Sequence, residues 1–93
     1  MEQSEKYLKE LEVMALDYDK AGKELAQVLI EKASSILMLM ANSKSVKEAE
    51  MKFACTPAGK REIELTYKIR GLKELISASK TYIRTKNQEY FNN

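Results

Sequence analysis

Apolar residues recur at steps of three and four along the whole first half of the chain, and this spacing constrains the fold more than any other feature. Such a repeat forms one face of an α-helix. Its mean step of about 3.7 residues is closer to an eleven-residue repeat than to a heptad, so we expect a straight stripe with little supercoiling. The positions predicted to face the core are Tyr7, Leu11, Met14, Tyr18, Ala21, Leu25, Leu29, Ala33, Ile36 and Met40.

A second apolar line lies beside this stripe and makes the apolar face wider than one partner helix can cover. Because a two-helix hairpin would leave this line exposed, we expect the chain to assemble into a homo-oligomer. The line comprises Leu8, Ala15, Ala26, Ile30 and Leu37, with Leu16, Val28 and Leu39 further round. Of these residues, Leu8, Ala26, Ile30 and Leu37 are predicted to lie in the oligomer interface.

The middle of the chain contains the sequence signals of two helix N-termini. Ser45 and Glu48 form the S-x-x-E pattern of a capping box, which predicts a helix from Val46. That helix is short, because Pro57 cannot continue it. Thr56 and Pro57 instead match the N-cap and first position of a third helix.

The third helix carries its own apolar stripe, made of Leu65, Ile69, Leu72, Ile76, Ser79, Ile83 and Tyr90 and flanked by Ile63, Leu75 and Tyr82. The chain has one proline and three glycines, a composition typical of long helices. We therefore predict an all-α fold with helices at about 4–41, 46–54 and 57–90. Residues 1–93 form one domain, an antiparallel helical hairpin with the short helix at its elbow.

The composition argues against catalysis. There is no histidine, and the single cysteine, Cys55, cannot form an intrachain disulfide. We expect Cys55 to fill the elbow as a small hydrophobic residue. Ala58-Gly59-Lys60-Arg61 lacks the glycine spacing of a phosphate loop. We therefore expect a protein that is not an enzyme and uses no cofactor and no metal.

Nothing in the sequence predicts a membrane protein. The residues after Met1 are polar or charged, unlike those of a signal peptide. The longest apolar run, from Ile36 to Ala41, is far shorter than the roughly 20 residues that cross a bilayer. We expect a cytoplasmic protein.

Charge is divided unevenly along the chain. Residues 1–43 hold five Lys and eight Asp or Glu, whereas residues 44–93 hold eleven Lys or Arg and six Glu. Many of these cations follow one another at helical spacing on the third helix, on the face predicted to point away from its apolar stripe. We call this line the basic ridge: Arg70, Lys73, Ser77, Lys80, Arg84 and Asn87, with Lys60 and Arg61 toward its beginning.

Two interpretations of the ridge stay open. A row of cations can neutralise phosphates of a nucleic acid and release their counterions. It can equally pair with the acidic residues of the first helix, within the hairpin or between subunits.

The tyrosines also allow more than one interpretation. We expect Tyr7, Tyr18 and Tyr67 to pack in the core, while Tyr82 and Tyr90 either contact a neighbouring subunit, the option we favour, or stack on bases.

The run from Lys68 to Phe91, with its apolar pairs, Ser and basic residues and terminal aromatics, resembles the closing helix of phage T4-type recombination mediators. Members of that family load a recombinase on single-stranded DNA. The resemblance implies a helical hairpin that assembles into rings and binds single strands through basic residues.

The leading prediction is a non-enzymatic, oligomeric helical protein, phage-encoded, that binds single-stranded nucleic acid to assist recombination or replication. The alternative is a protein–protein adaptor or inhibitor, such as a phage anti-defence factor, that docks on a protein through its apolar and charged surfaces. A third option is a small-ligand site between subunits.

Overall fold

The structure, a computed structural model, describes residues 2–92, with side chains described for residues 5–88. These residues form three helices and no strand: α1 (Glu2–Met40), α2 (Val46–Ala54) and α3 (Pro57–Asn92). Helix α1 packs along α3, and α2 contacts both of them at the elbow. The predicted all-α fold with a short elbow helix is confirmed, and the helix bounds agree to within two residues.

Side-chain caps begin α2 and α3. The Ser45 hydroxyl accepts a hydrogen bond from the Glu48 backbone N–H at 3.1 Å. The Glu48 carboxylate accepts from the Lys44 N–H at 2.7 Å, one residue earlier than in the standard capping box. The Thr56 hydroxyl accepts from the Gly59 N–H at 3.1 Å, so the predicted N-cap of α3 is also confirmed.

The inner face of α1 follows a heptad, and the predicted straight repeat is wrong. Leu29, Ala33 and Met40, predicted to be inside, are exposed, whereas Val28 and Leu39, predicted to be outside, are buried and half-buried. Two helices that pack along their whole length must have the same spacing of contact residues. Because the contact residues of α3 follow a strict heptad, those of α1 follow a heptad too. The heptad positions of α1 that face α3 are Tyr7, Leu11, Met14, Tyr18, Ala21, Leu25, Val28, Lys32, Ser35 and Leu39; Tyr18, predicted to pack in the core, is nevertheless 38% exposed.

The stripe predicted for α3 is confirmed within the described side chains, since Leu65 is fully buried and the others are half-buried: Ile69, Leu72, Ile76, Ser79 and Ile83. Tyr90 lies outside the described side chains. We call the packed α1 and α3 positions the inner seam.

Two small apolar clusters hold the hairpin together. Ala21, Val28 and Leu65 form one of them, in the middle of the rod. Ala49 and Phe53 of α2 are buried at the elbow. Because so few side chains are fully buried, each of these contributes a large share of the stability.

An ion pair separates the two clusters. Lys32 Nζ donates to Glu62 Oε1 at 3.0 Å, and the ammonium also lies 5.8 Å from the centre of the Phe53 ring. Both charged residues occupy heptad positions of the inner seam. Sliding one helix by a heptad would place Lys32 beside Ile69 and leave both charges without their partner, so the pair fixes the register of the hairpin.

The hairpin is a thin rod with an unusually large surface. It measures 68 × 18 × 15 Å and has a radius of gyration of 19.8 Å. A compact chain of this length would have a radius of about 12 Å. The accessible surface is 7624 Å², roughly 2,100 Å² more than the about 5,500 Å² expected for a folded monomer of this mass.

Candidate functional site

The basic ridge runs along α3 beside α1. All of its cations are exposed. The prediction that the ridge points away from the apolar stripe is wrong for its C-terminal part, because Lys80 and Arg84 line an open cleft with Ile83 and with Leu8 and Leu11 of α1. The ridge therefore lies on a flank of the hairpin, where its alkyl stems adjoin apolar surface.

Four of the ridge cations have no acidic partner in the described part of the chain. Among residues 5–88, whose side chains the structure describes, no carboxylate forms an ion pair with Arg70, Lys73, Lys80 or Arg84. Arg70 lies 5.9 Å from the centre of the Tyr67 ring. Lys80 and Arg84 are four residues apart on the helix, so their like charges repel each other.

Arg61 belongs to a different surface. Its Nε and one Nη donate to the two oxygens of Glu24, both at 2.9 Å, and its other Nη bonds Glu64 at 3.2 Å. Hydrogen bonds to Glu24 and then Glu64 raise the pKa of Arg61 above its ordinary value. Arg61 precedes Arg70 by nine residues, half a turn out of phase on a helix of 3.6 residues per turn. The structure therefore separates Arg61 from the ridge. Lys60 is exposed about 15 Å before Arg70 along the helix.

The outward side of α1 carries a second heptad. The predicted interface residues Leu8, Ala26, Ile30 and Leu37 are all exposed. Three of them continue into a line with alternating steps of four and three, which we call the outer seam: Ala26, Ile30, Ala33, Leu37 and Met40. Sequence reasoning missed Ala33 and Met40 because it assigned them to the inner side.

Charge is nearly absent around the outer seam. Between Leu25 and Ser43 the only charged residues are Glu31 and Lys32, and Lys32 is bound to Glu62 in the inner seam. Solvent-facing helix surfaces ordinarily carry charged residues on every turn or two. This scarcity of charge was the sequence signal that could have identified the outer seam.

The aromatic residues have partners other than those predicted. Tyr7 faces the inner seam, as predicted, and its ring meets that of Tyr82 edge-on at 5.1 Å, so Tyr82 has a contact within the chain. Tyr67, predicted to pack in the core, is largely exposed beside Arg70 because it points outward from α3.

The described part of the chain contains no candidate metal site, and its cysteine lies on the surface. A search of those residues gives no cluster of His, Cys, Asp or Glu that could hold a metal ion. Cys55 is exposed, so the expectation that it fills the elbow is wrong; Phe53 occupies that place. Within the described residues, no helix is long and apolar enough to span a bilayer.

No family model, curated protein or solved structure matches this chain. The resemblance of Lys68–Phe91 to recombination mediators therefore stays a prediction. Two surfaces of the described chain are candidates for binding a partner, the basic ridge of α3 and the outer seam of α1.

Proposed function

We propose that this protein is a non-enzymatic helical binding protein whose basic ridge binds the phosphate backbone of single-stranded nucleic acid. The observation that carries the proposal is the line of four cations, Arg70, Lys73, Lys80 and Arg84, which no described carboxylate neutralises. From Arg70 to Arg84 the line extends about 21 Å along α3.

A phosphate backbone suits this surface for two reasons. A bound polyanion relieves the repulsion between neighbouring cations and releases its own counterions. The ridge is also narrow and straight, and it follows a rod only 18 × 15 Å in cross-section. A flexible single strand can follow such a ridge, with base rings packing on the apolar cleft beside Lys80 and Arg84.

The wider role that we propose is assistance of recombination or replication by a phage-encoded homo-oligomer in the host cytoplasm. The resemblance of the closing helix to recombination mediators supports this role. Self-association would repeat the ridge in one assembly and raise its affinity for a long strand through multivalency.

A specific observation also supports the adaptor alternative. The outer seam is an uncharged, exposed apolar surface of the kind that receives a helix from another protein. In that case the ridge would bind an acidic protein surface, and single strands would not bind measurably even at low salt.

The test is a fluorescence anisotropy titration of a labelled single strand at two salt concentrations. If four phosphates are neutralised, the logarithm of the affinity should fall by about 2.8 per log unit of salt, since each phosphate contributes about 0.7. Lys80→Glu with Arg84→Glu should weaken binding of every base sequence alike and at least halve this slope, because phosphate contacts carry no sequence information.

The matched control is Lys9→Glu with Lys20→Glu, which makes the same charge change on exposed positions of α1. It should lower affinity much less, because these residues lie outside the ridge. No binding at low salt, or equal losses for the two double variants, would refute the proposal. Circular dichroism should show a native helix content for both variants, since exposed charges contribute little to folding.

A further inference from the structure

The outer seam has the residue spacing of a coiled-coil surface, and its side chains are exposed. Its five positions keep heptad spacing over about 21 Å of helix, and the first four alternate alanine with a larger residue. We infer that the occupant is the outer seam of a second copy of this chain, packed antiparallel to the first. This inference rests on the self-association included in the proposed function, and it does not depend on nucleic-acid binding.

The alternation of small and large residues favours self-pairing in one register. When two copies run antiparallel so that Ile30 faces Ala33, Ala26 faces Leu37 of the other copy. Ile30 and Leu37 then each meet an alanine, which lets the helices approach closely and fills the space between them, while Met40 lies at the end of the contact beside Lys23. The pairing is isologous, as a two-fold symmetric dimer requires.

Charges oppose the parallel arrangement and permit the antiparallel one. In a parallel pair, Asp19 would face Asp19 and Lys23 would face Lys23 of the other copy. In the antiparallel register Lys23 lies near Met40, at the end of the partner's α1, and Asp19 lies beyond it. The residues that flank the outer seam are uncharged: Gln27 and Ser34 on one side, Leu29 and Ile36 on the other.

The elongated hairpin exposes more extra surface than a standard interface requires. A specific interface of standard size buries about 800 Å² on each partner. The chain exposes about 2,100 Å² more than a folded monomer of its mass. Because the outer seam lies on the side of α1 that faces away from α3, packing two outer seams together would leave the basic ridge of each copy accessible.

The decisive variant is Ile30→Glu, and the sequence provides a matched control. Ile30 is 71% exposed and Leu16 is 70% exposed, and both occupy the same outward heptad position of α1. Leu16 lies outside the outer seam, so Leu16→Glu adds the same charge without touching the proposed interface.

Light scattering should give the wild type and Leu16→Glu the mass of a dimer, twice the 10.7 kDa of one chain, or of an assembly of several dimers. Ile30→Glu should lose the outer-seam contact and give a lower mass. Circular dichroism should be native for all three proteins. A wild-type mass of 10.7 kDa at micromolar concentration and above, or an Ile30→Glu variant as large as the wild type, would overturn the inference.

Cross-linking tests the register. In a Cys55→Ser background, chains with Ala26→Cys are mixed with tagged chains that carry Leu37→Cys and are then oxidised. The antiparallel register predicts the mixed disulfide, whereas disulfides joining two identical variants would indicate parallel pairing and overturn the inference.

The anisotropy titration, repeated with Ile30→Glu, separates the two proposals. Single-strand binding should persist through one ridge after the dimer contact is lost. Absence of binding in every protein would refute only the nucleic-acid proposal.

Discussion

Replacing Gly59 by alanine should destabilise the hairpin, although alanine is the better helix former. Gly59 is buried in the first turn of α3, against the end of α2. A Cβ there would lie 2.7 Å from Cα and 2.9 Å from the carbonyl carbon of Ala54, and closer still to the carbonyl oxygen of Phe53. These are backbone atoms, so the clash can be relieved only by moving α2 away from α3.

Overpacking of this kind costs about 1–3 kcal/mol. Moving α2 would also loosen Phe53, which is buried at the elbow, so we expect a net loss near 2 kcal/mol after the smaller gain in helix propensity. For a domain of this size, a loss of about 2 kcal/mol lowers the melting temperature by roughly 8–16 °C. Thermal unfolding followed by circular dichroism at a fixed protein concentration measures the change.

Gly71→Ala provides the control, because the same substitution should have the opposite sign there. Apart from the backbone of its own helical turns, no atom lies within 4 Å of a Cβ built at Gly71, which is exposed in the interior of α3. Alanine should then stabilise the helix by about 0.5–1 kcal/mol. If Gly59→Ala is as stable as Gly71→Ala, the elbow is not packed as the structure has it and the reasoning fails.

Two further predictions concern the inner seam. Glu62→Ala should lower the free energy of unfolding, measured in urea, by about 1–2 kcal/mol, because it leaves Lys32 half-buried without its partner. The control, Glu64→Ala, should lower it by at most about 0.5 kcal/mol because Glu64 is exposed. Equal losses would contradict a structural role for the Lys32–Glu62 ion pair. A hydrogen bond to Tyr82 and then the charge of Tyr82 raise the pKa of Tyr7 above 10.0, so ultraviolet titration of Tyr82→Phe should show a lower pKa for Tyr7. Since the raised pKa favours the neutral phenol in the folded protein, this contribution is present below pH 10.0 and lost as the pH rises past it; an unchanged pKa would count against the contact.

The sequence predicts the elements of this fold well because their boundaries depend on local chemistry. Ser45 and Thr56 cap helices through bonds to residues three positions away, which a pattern search can find. The α3 stripe was also predictable, since polar residues surround it on both sides.

The inner side of α1 was harder to predict near the elbow. There the chain is apolar on both sides, so periodicity alone does not choose between Val28 and Leu29. The choice depends on α3 and on the pairing of Lys32 with Glu62, 30 residues away. A lysine at a seam position gives no local sign that its partner lies on another helix.

The candidate surfaces show the same limit. Helical spacing was enough to align Arg70, Lys73, Lys80 and Arg84. It was not enough to separate Arg61 from them, because the contact of Arg61 with Glu24 spans 37 residues and exists only in the folded hairpin.

The distance between contacts along the chain also favours one order of folding over the other. The Lys32–Glu62 pair closes a loop of about 30 residues, whereas the contact of Tyr7 with Tyr82 spans about 75 residues. If formed first, the longer loop would cost about 0.8 kcal/mol more in chain entropy. We therefore expect the helices to zip together from the elbow outwards. The outer seam lies on the elbow side of α1, so it is folded early, and two chains can begin to associate before the ends of either hairpin have met.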